Sequence, residues 1–183
     1  MEAMEILKRE HRMVLLVATA ARRDVDAALG GSPVDADELD KVIEFFRYFM
    51  NSCHAPKEED LLFTMLHRRG LAWDASPLRD LVREHEEMRV LLDSASDWLL
   101  PVKAGEAGAL QPLLYDLTTY LDLLEQHIAE EEDHIFPLAL QRLRPQDFAE
   151  LGEEFSTIAC DEFDEGMHTY YADMAHHLVG AAA

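Results

Sequence analysis

The chain has 183 residues, 49% of them hydrophobic, with 16 basic against 37 acidic side chains and a formal charge of −21. That length makes one domain with room for an added element, and that hydrophobic content builds a core and excludes a disordered chain. The acidity excludes nucleic acid and anionic membrane surfaces as partners, since both need a basic face.

Period-two alternation is absent and apolar residues recur at three and four, which predicts helices throughout. The first runs from about Met4 to Leu29 and stops at Gly30-Gly31-Ser32-Pro33. The second begins near Asp35 to Asp37, runs to about Arg69 and ends at Gly70. It contains Pro56, which removes a backbone hydrogen bond and should bend it. The third opens at Ser76-Pro77, an N-cap followed by Pro at the first helical position, and stops at Pro101. A loop from Lys103 to Ala109 leads to a fourth helix from about Leu110 to Arg144. Pro112 is tolerated in its first turn, and Pro137 should bend it or end its regular part. A fifth helix opens after Pro145 and runs to about Val179, followed by a frayed tail. Four long helices with short connections predict an all-α, up-down-up-down antiparallel bundle over residues 1–144. Residues 145–183 are expected as a helical extension packed on or beside it.

Cys53 and Cys160 are too few for a disulfide framework and read as free thiols in a reducing compartment. Met1 to Glu10 shows no apolar signal core, and no apolar run approaches the roughly 20 residues of a membrane span. A soluble cytoplasmic protein is expected.

The nine histidines are many for an acidic chain, and imidazole with carboxylate is a donor palette for first-row metals. They fall into an internal repeat. Arg9-Glu10-His11 on the first helix matches Arg83-Glu84-His85 on the third. The stretch from His54 to Phe63 matches the stretch from His127 to Phe136, both reading His-x-x-x-Glu-Glu-Asp-x-[Leu/Ile]-Phe. His11 precedes His54 by 43 positions and His85 precedes His127 by 42. The chain therefore reads as two helical hairpins of one design. His-x-x-x-Glu alone is a weak signal, and its residues could be an ordinary polar seam. The shared context and matched spacing favour a site.

Residues four apart share a helix face, with Cβ atoms about 5–6 Å apart. His54 with Glu58, and His127 with Glu131, can thus each point at one centre, with His11 and His85 entering from the other helices. Buried carboxylates need counter-charge, which two divalent cations would provide. If both Glu bridge, each metal receives two His and two carboxylate oxygens. Such N/O donor sets with open positions suit iron, with manganese or zinc also possible.

The pattern resembles the hemerythrin-like, or HHE cation-binding, family over about Ile6 to Leu140. The motif carried over is His11, then His54 with Glu58, then His85, then His127 with Glu131. Cys-His-x-Pro-Lys-Glu-Glu around His54, and Glu-Glu-x-x-Ile-Phe-Pro ending at Pro137, also resemble it. The resemblance implies two iron ions as a non-haem, oxo- or hydroxo-bridged di-iron centre. It implies binding of dioxygen, nitric oxide or peroxide, for sensing, storage or stress defence. A di-iron enzyme degrading peroxide or reducing nitric oxide, or an iron-handling protein, is the alternative. Oxygen-carrying members have a further His one turn after the third-helix His; here that position is Arg89. Reversible oxygen carriage is correspondingly less supported.

Other residues receive lesser expectations. Glu59 and Glu132 lie about 100° round the helix from Glu58 and Glu131, in surface or supporting roles, and Glu10 and Glu84 are similar. His134 is the closest rival ligand, but its repeat counterpart is Leu61, which favours packing. Tyr120 lies two turns before His127, where core packing is the default and a pocket role the alternative. Phe45, Phe46, Phe49 and Met50 are expected in the core near the site. Cys53 is expected as a small packing residue, and His67 as solvated beside a helix end. His168, His176 and His177 are expected at the surface of the fifth helix.

Overall fold

A computed structural model of the chain describes residues 2–74, 77–158 and 173–175. They form a helical bundle whose first helix is α1 (Glu2–Leu29). The second combines α2 (Ala36–Tyr48), two π-helical turns (Phe49–His54 and Lys57–Phe63) and α3 (Thr64–Arg68). The third is α4 (Leu78–Lys103). The fourth combines α5 (Leu110–Glu130), a π-helical turn (Glu131–Ile135) and α6 (Phe136–Arg142). The short α7 (Pro145–Phe155) follows. The first helix packs on the second and fourth, and the third likewise, which closes an up-down-up-down ring. No helix among the described residues is long and apolar enough to cross a membrane.

Local chemistry sets the ends. The Asp35 carboxylate accepts the N–H groups of Asp37 and Glu38 at 3.0 and 3.1 Å and caps α2. Gly70, at φ +92°, lets the chain turn back so that the Leu71 N–H reaches the Leu66 carbonyl. Four expectations change here. The third helix continues through Pro101 to Lys103: so near the end Pro removes a single bond, while Val102 still packs on the core. Pro77 precedes that helix rather than opening it, and Ser76 lies outside the described residues. The fifth helix ends at Phe155, not near Val179. There the hydroxyls of Ser156 and Thr157 donate to the Glu153 and Glu154 carbonyls, competing with further helix. Cys53 is not a free thiol but disulfide-bonded, which withdraws the cysteine argument for a reducing compartment. Cys160 lies outside the described residues.

Pro56 and Pro137 do not stop their helices. The ring of a helical proline clashes with the carbonyl four residues back. Those residues, Ser52 and Asp133, both lie in π-helical turns, whose wider winding accommodates the ring.

Three apolar clusters fill the bundle. Val25, Ile43, Leu99 and Leu113 pack the end nearest the α1–α2 loop. Val14, Phe46, Phe49, Met88 and Leu124 fill the middle. Leu7, Phe63, Leu81 and Phe136 fill the other end, where Phe148, Leu151 and Phe155 of α7 join them. On every bundle helix the His and Glu of the repeat fall between the second and third clusters: His11 between Leu7 and Val14, His85 between Leu81 and Met88. The periodicity that builds the core therefore also places one ionisable layer across it.

Candidate metal centre

His11, His54, Glu58, His85, His127 and Glu131 are all buried and meet in that layer. They form two overlapping groups, each with ligand atoms within 4.8 Å of one another. One holds His11 and His54, the other His85 and His127, and both hold Glu58 and Glu131. Each carboxylate is divided between the groups. Glu58 turns Oε1 toward the Nε2 atoms of His11 (3.5 Å) and His54 (3.3 Å), and Oε2 toward His85 Nε2 (3.5 Å). Glu131 turns Oε2 toward His11 Nε2 (3.3 Å) and Oε1 toward His127 Nε2 (3.5 Å). None of these four oxygens has a hydrogen-bond partner among the described residues, nor has Nε2 of His85 or His127. Each orphaned buried polar group costs about 1–3 kcal/mol, and more when charged. Converging lone pairs from nitrogen and oxygen fit first-row cations, which would satisfy them all.

The opposite face of every imidazole is occupied. The Nδ1 of His54 meets Glu10 (2.8 Å), that of His85 meets Glu59 (2.7 Å), that of His127 meets Glu84 (2.9 Å) and that of His11 meets Glu132 (3.0 Å). A carboxylate only accepts, so each Nδ1 carries the proton and each Nε2 is the atom presented to the centre. The contacts run in a cycle: the first helix holds the second, the second the third, the third the fourth, and the fourth the first. Each outer carboxylate is the sequence neighbour of one of the six inner residues. Sequence reasoning gave these four acids only a supporting or surface role. The supporting role is the one they take, each holding an imidazole from behind.

The electrostatics are coupled across the layer. Burial opposes charge on His11, but the carboxylates of Glu131 and Glu58 outweigh it and raise its pKa to about 10. The same opposition, with Glu58 and Glu59 prevailing, raises His85 to about 9. Burial would likewise raise Glu58, yet His54, His11 and His85 hold it well below the usual carboxylate range. Without metal, a charged Glu58 and protonated His11 and His85 thus sustain one another.

The family model described as hemerythrin HHE cation-binding domain matches residues 2–139. The chain belongs to that family. Among the relatives of this HHE protein are uncharacterized proteins of Mycobacterium bovis and of two strains of Mycobacterium tuberculosis. Each is 25% identical over 153 residues, covering 84% of this chain and 59% of the relative. The chain thus spans about three-fifths of the length of the curated relatives it matches. No solved structure matches it.

Residues outside the inner set fall as follows. Arg89, where oxygen-carrying HHE proteins have a further His, turns away from the centre and donates to Glu59 at 2.6 Å. His134 lies outside the layer, with its side chain 64% exposed and Nδ1 3.2 Å from Glu130. It neither packs in the core nor joins the site. Tyr120 packs on Phe46 with ring centroids 5.0 Å apart, and its hydroxyl has no hydrogen-bond partner among the described residues. Burial alone raises its pKa well above the usual phenol value. Phe45, Phe46, Phe49, Met50 and Cys53 are buried in the middle cluster, as expected. His67 is exposed and donates to the Leu71 carbonyl. His168, His176 and His177 lie outside the described residues.

Proposed function

We propose that the protein holds two iron ions in this layer and binds a small ligand there: dioxygen, nitric oxide or peroxide. Its physiological use would be sensing, storage or stress defence. The observation that carries the reading is the division of Glu58 and Glu131, each offering one oxygen to either His pair. Two carboxylates shared between two imidazole pairs suit two cations better than one. Iron held there would supply redox chemistry and a coordination position for a small ligand.

The side chains contribute the rest. Glu10, Glu59, Glu84 and Glu132 fix the tautomer and orientation of the four imidazoles. Phe136 lies flat on His11, with centroids 5.3 Å apart and planes at 10°, which keeps water from that ring. The apolar clusters on both sides keep the layer dry. Manganese or zinc would satisfy the same donors, so the experiment has to identify the metal. Metal analysis should find about two iron per chain. Optical spectra of reduced, oxygenated and nitric-oxide-treated protein should differ. No metal after growth in abundant iron, with no melting shift on anaerobic iron addition, would overturn the reading.

The outward turn of Arg89 favours a second reading, an enzyme degrading peroxide or reducing nitric oxide. Among the described residues the two groups offer equal donor sets with no fifth imidazole, which would let two metals share an electron demand. Oxygen evolution from peroxide that His85→Ala abolishes would support the enzyme. A stable oxygenated form that releases dioxygen under vacuum would support binding.

A further inference from the structure

The four outer carboxylates are alike in what they hold but not in what holds them. Glu10, behind His54, is met by the ammonium of the buried Lys57. Glu59, behind His85, is met by the Arg89 guanidinium at 2.6 Å. Glu84, behind His127, and Glu132, behind His11, meet no basic side chain other than their histidines among the described residues. Each His pair therefore contains one imidazole backed by a cation-bound carboxylate and one backed by a carboxylate without a cation.

The repeat does not supply this pattern. The counterpart of Lys57 is Glu130, which pairs instead with His134, and the counterpart of Arg89 is Leu15. Two unrelated positions, one on the second helix and one on the third, bring a cation to one outer carboxylate in each half, Lys57 buried and Arg89 partly exposed and shared with Glu86. The repeat accounts for the carboxylates but not for the cations.

We propose that Lys57 and Arg89 are positioning residues that set the redox preference of the metal pair, an inference that rests on the metal reading above. A carboxylate accepting from Nδ1–H pushes electron density into the imidazole and strengthens it as a donor to a higher oxidation state. A cation on that carboxylate draws density back and favours the lower state. The field of a single charge about one side chain away in a partly dry interior is worth on the order of tenfold in an equilibrium. Lys57 and Arg89 thus keep one attenuated donor on each metal, balance the two halves and hold the pair toward its reduced form.

The test is the midpoint potential of the iron-loaded full chain at pH 8, measured by spectroelectrochemistry. Arg89 is partly exposed, so Arg89→Met is the primary variant; Lys57→Met, Arg89→Lys and Lys57→Arg accompany it. The Met variants should retain the iron of the parent and favour the oxidised form by about tenfold, about 59 mV for a one-electron step. The charge-keeping variants should match the parent. Glu132→Gln, which weakens a donor whose carboxylate meets no lysine or arginine among the described residues, should move the potential the other way. In zinc-loaded Arg89→Met, the Nδ1–H proton resonance of His85 should shift while that of His127 stays. Equal potentials in parent and Arg89→Met at equal iron content would overturn the proposal, as would the same shift in Arg89→Lys. A parent that takes up no iron would overturn the metal reading itself, a result distinct from either.

Discussion

The two hairpins of the bundle share their inner chemistry and differ in nearly everything around it. Counterpart residues supply the same lone His, the same His-x-x-x-Glu and the same outer acids. Yet the first hairpin carries its proline between His54 and Glu58, while the second carries it six residues after Glu131. In both, a π-helical turn contains the residue four before the proline. The first hairpin also receives α7, through an Arg69 guanidinium that binds both Asp147 oxygens. The geometry of six side chains facing a centre admits few solutions, whereas the means of bending a helix toward it admit several.

The comparison predicts a ranking of effects. Glu58→Ala and Glu131→Ala should be the most damaging, because each removes an oxygen from both groups; metal analysis should show both ions lost. Replacement of a single imidazole, such as His54→Ala, should spare the other group and leave about one metal per chain. Equal stoichiometry in the Glu and His variants would break the picture of shared carboxylates. Next come the outer acids. Glu84→Gln should weaken metal binding about 10- to 100-fold, read by competition with a chelator. Glu10→Gln should do the same and lower the melting temperature further, since it also takes the carboxylate from the buried Lys57. Identical melting in the two variants would show that Lys57 does not distinguish the hairpins.

Smaller effects should appear with pH. In metal-free protein His11 and His85 sit at about 10 and about 9, above an ordinary value of 6.5. Their stabilisation is fully present below 6.5 and is lost as pH rises through about 9 to 10. Metal-free melting temperature should therefore fall over that window while metal affinity rises, because cations displace those protons. A flat metal-free profile would contradict the coupled layer. Smallest is the α7 anchor. Arg69 and the Arg144 N–H hold Asp147 at about 2, so its contribution persists above 3.8 and fades as pH falls toward about 2. Arg69→Ala should lower the melting temperature modestly and flatten that acid limb without changing metal content.

Much of this was legible in the sequence. Helices, bundle class and the six inner residues follow from local spacing plus one repeat, because i,i+4 geometry is set within a single helix. The outer cycle was not legible, since its contacts join residues 26 to 121 positions apart and depend on which helices are neighbours. Pro101 misled because its cost depends on how close the helix end is, not on the residue alone. Arg89 could be seen to lack an imidazole, but its turn toward Glu59 required the third helix to be placed against the second.

The cycle of outer carboxylates has a consequence for mapping damage. Because each acid serves the histidine of the next helix, a lesson learned by substituting one helix will be read out on another. Glu10 variants report through His54, Glu59 through His85, Glu84 through His127 and Glu132 through His11. The phenotype is displaced by one strut around the ring. Four such displacements return to the starting helix, so the ring has no terminal member whose loss leaves the rest untouched.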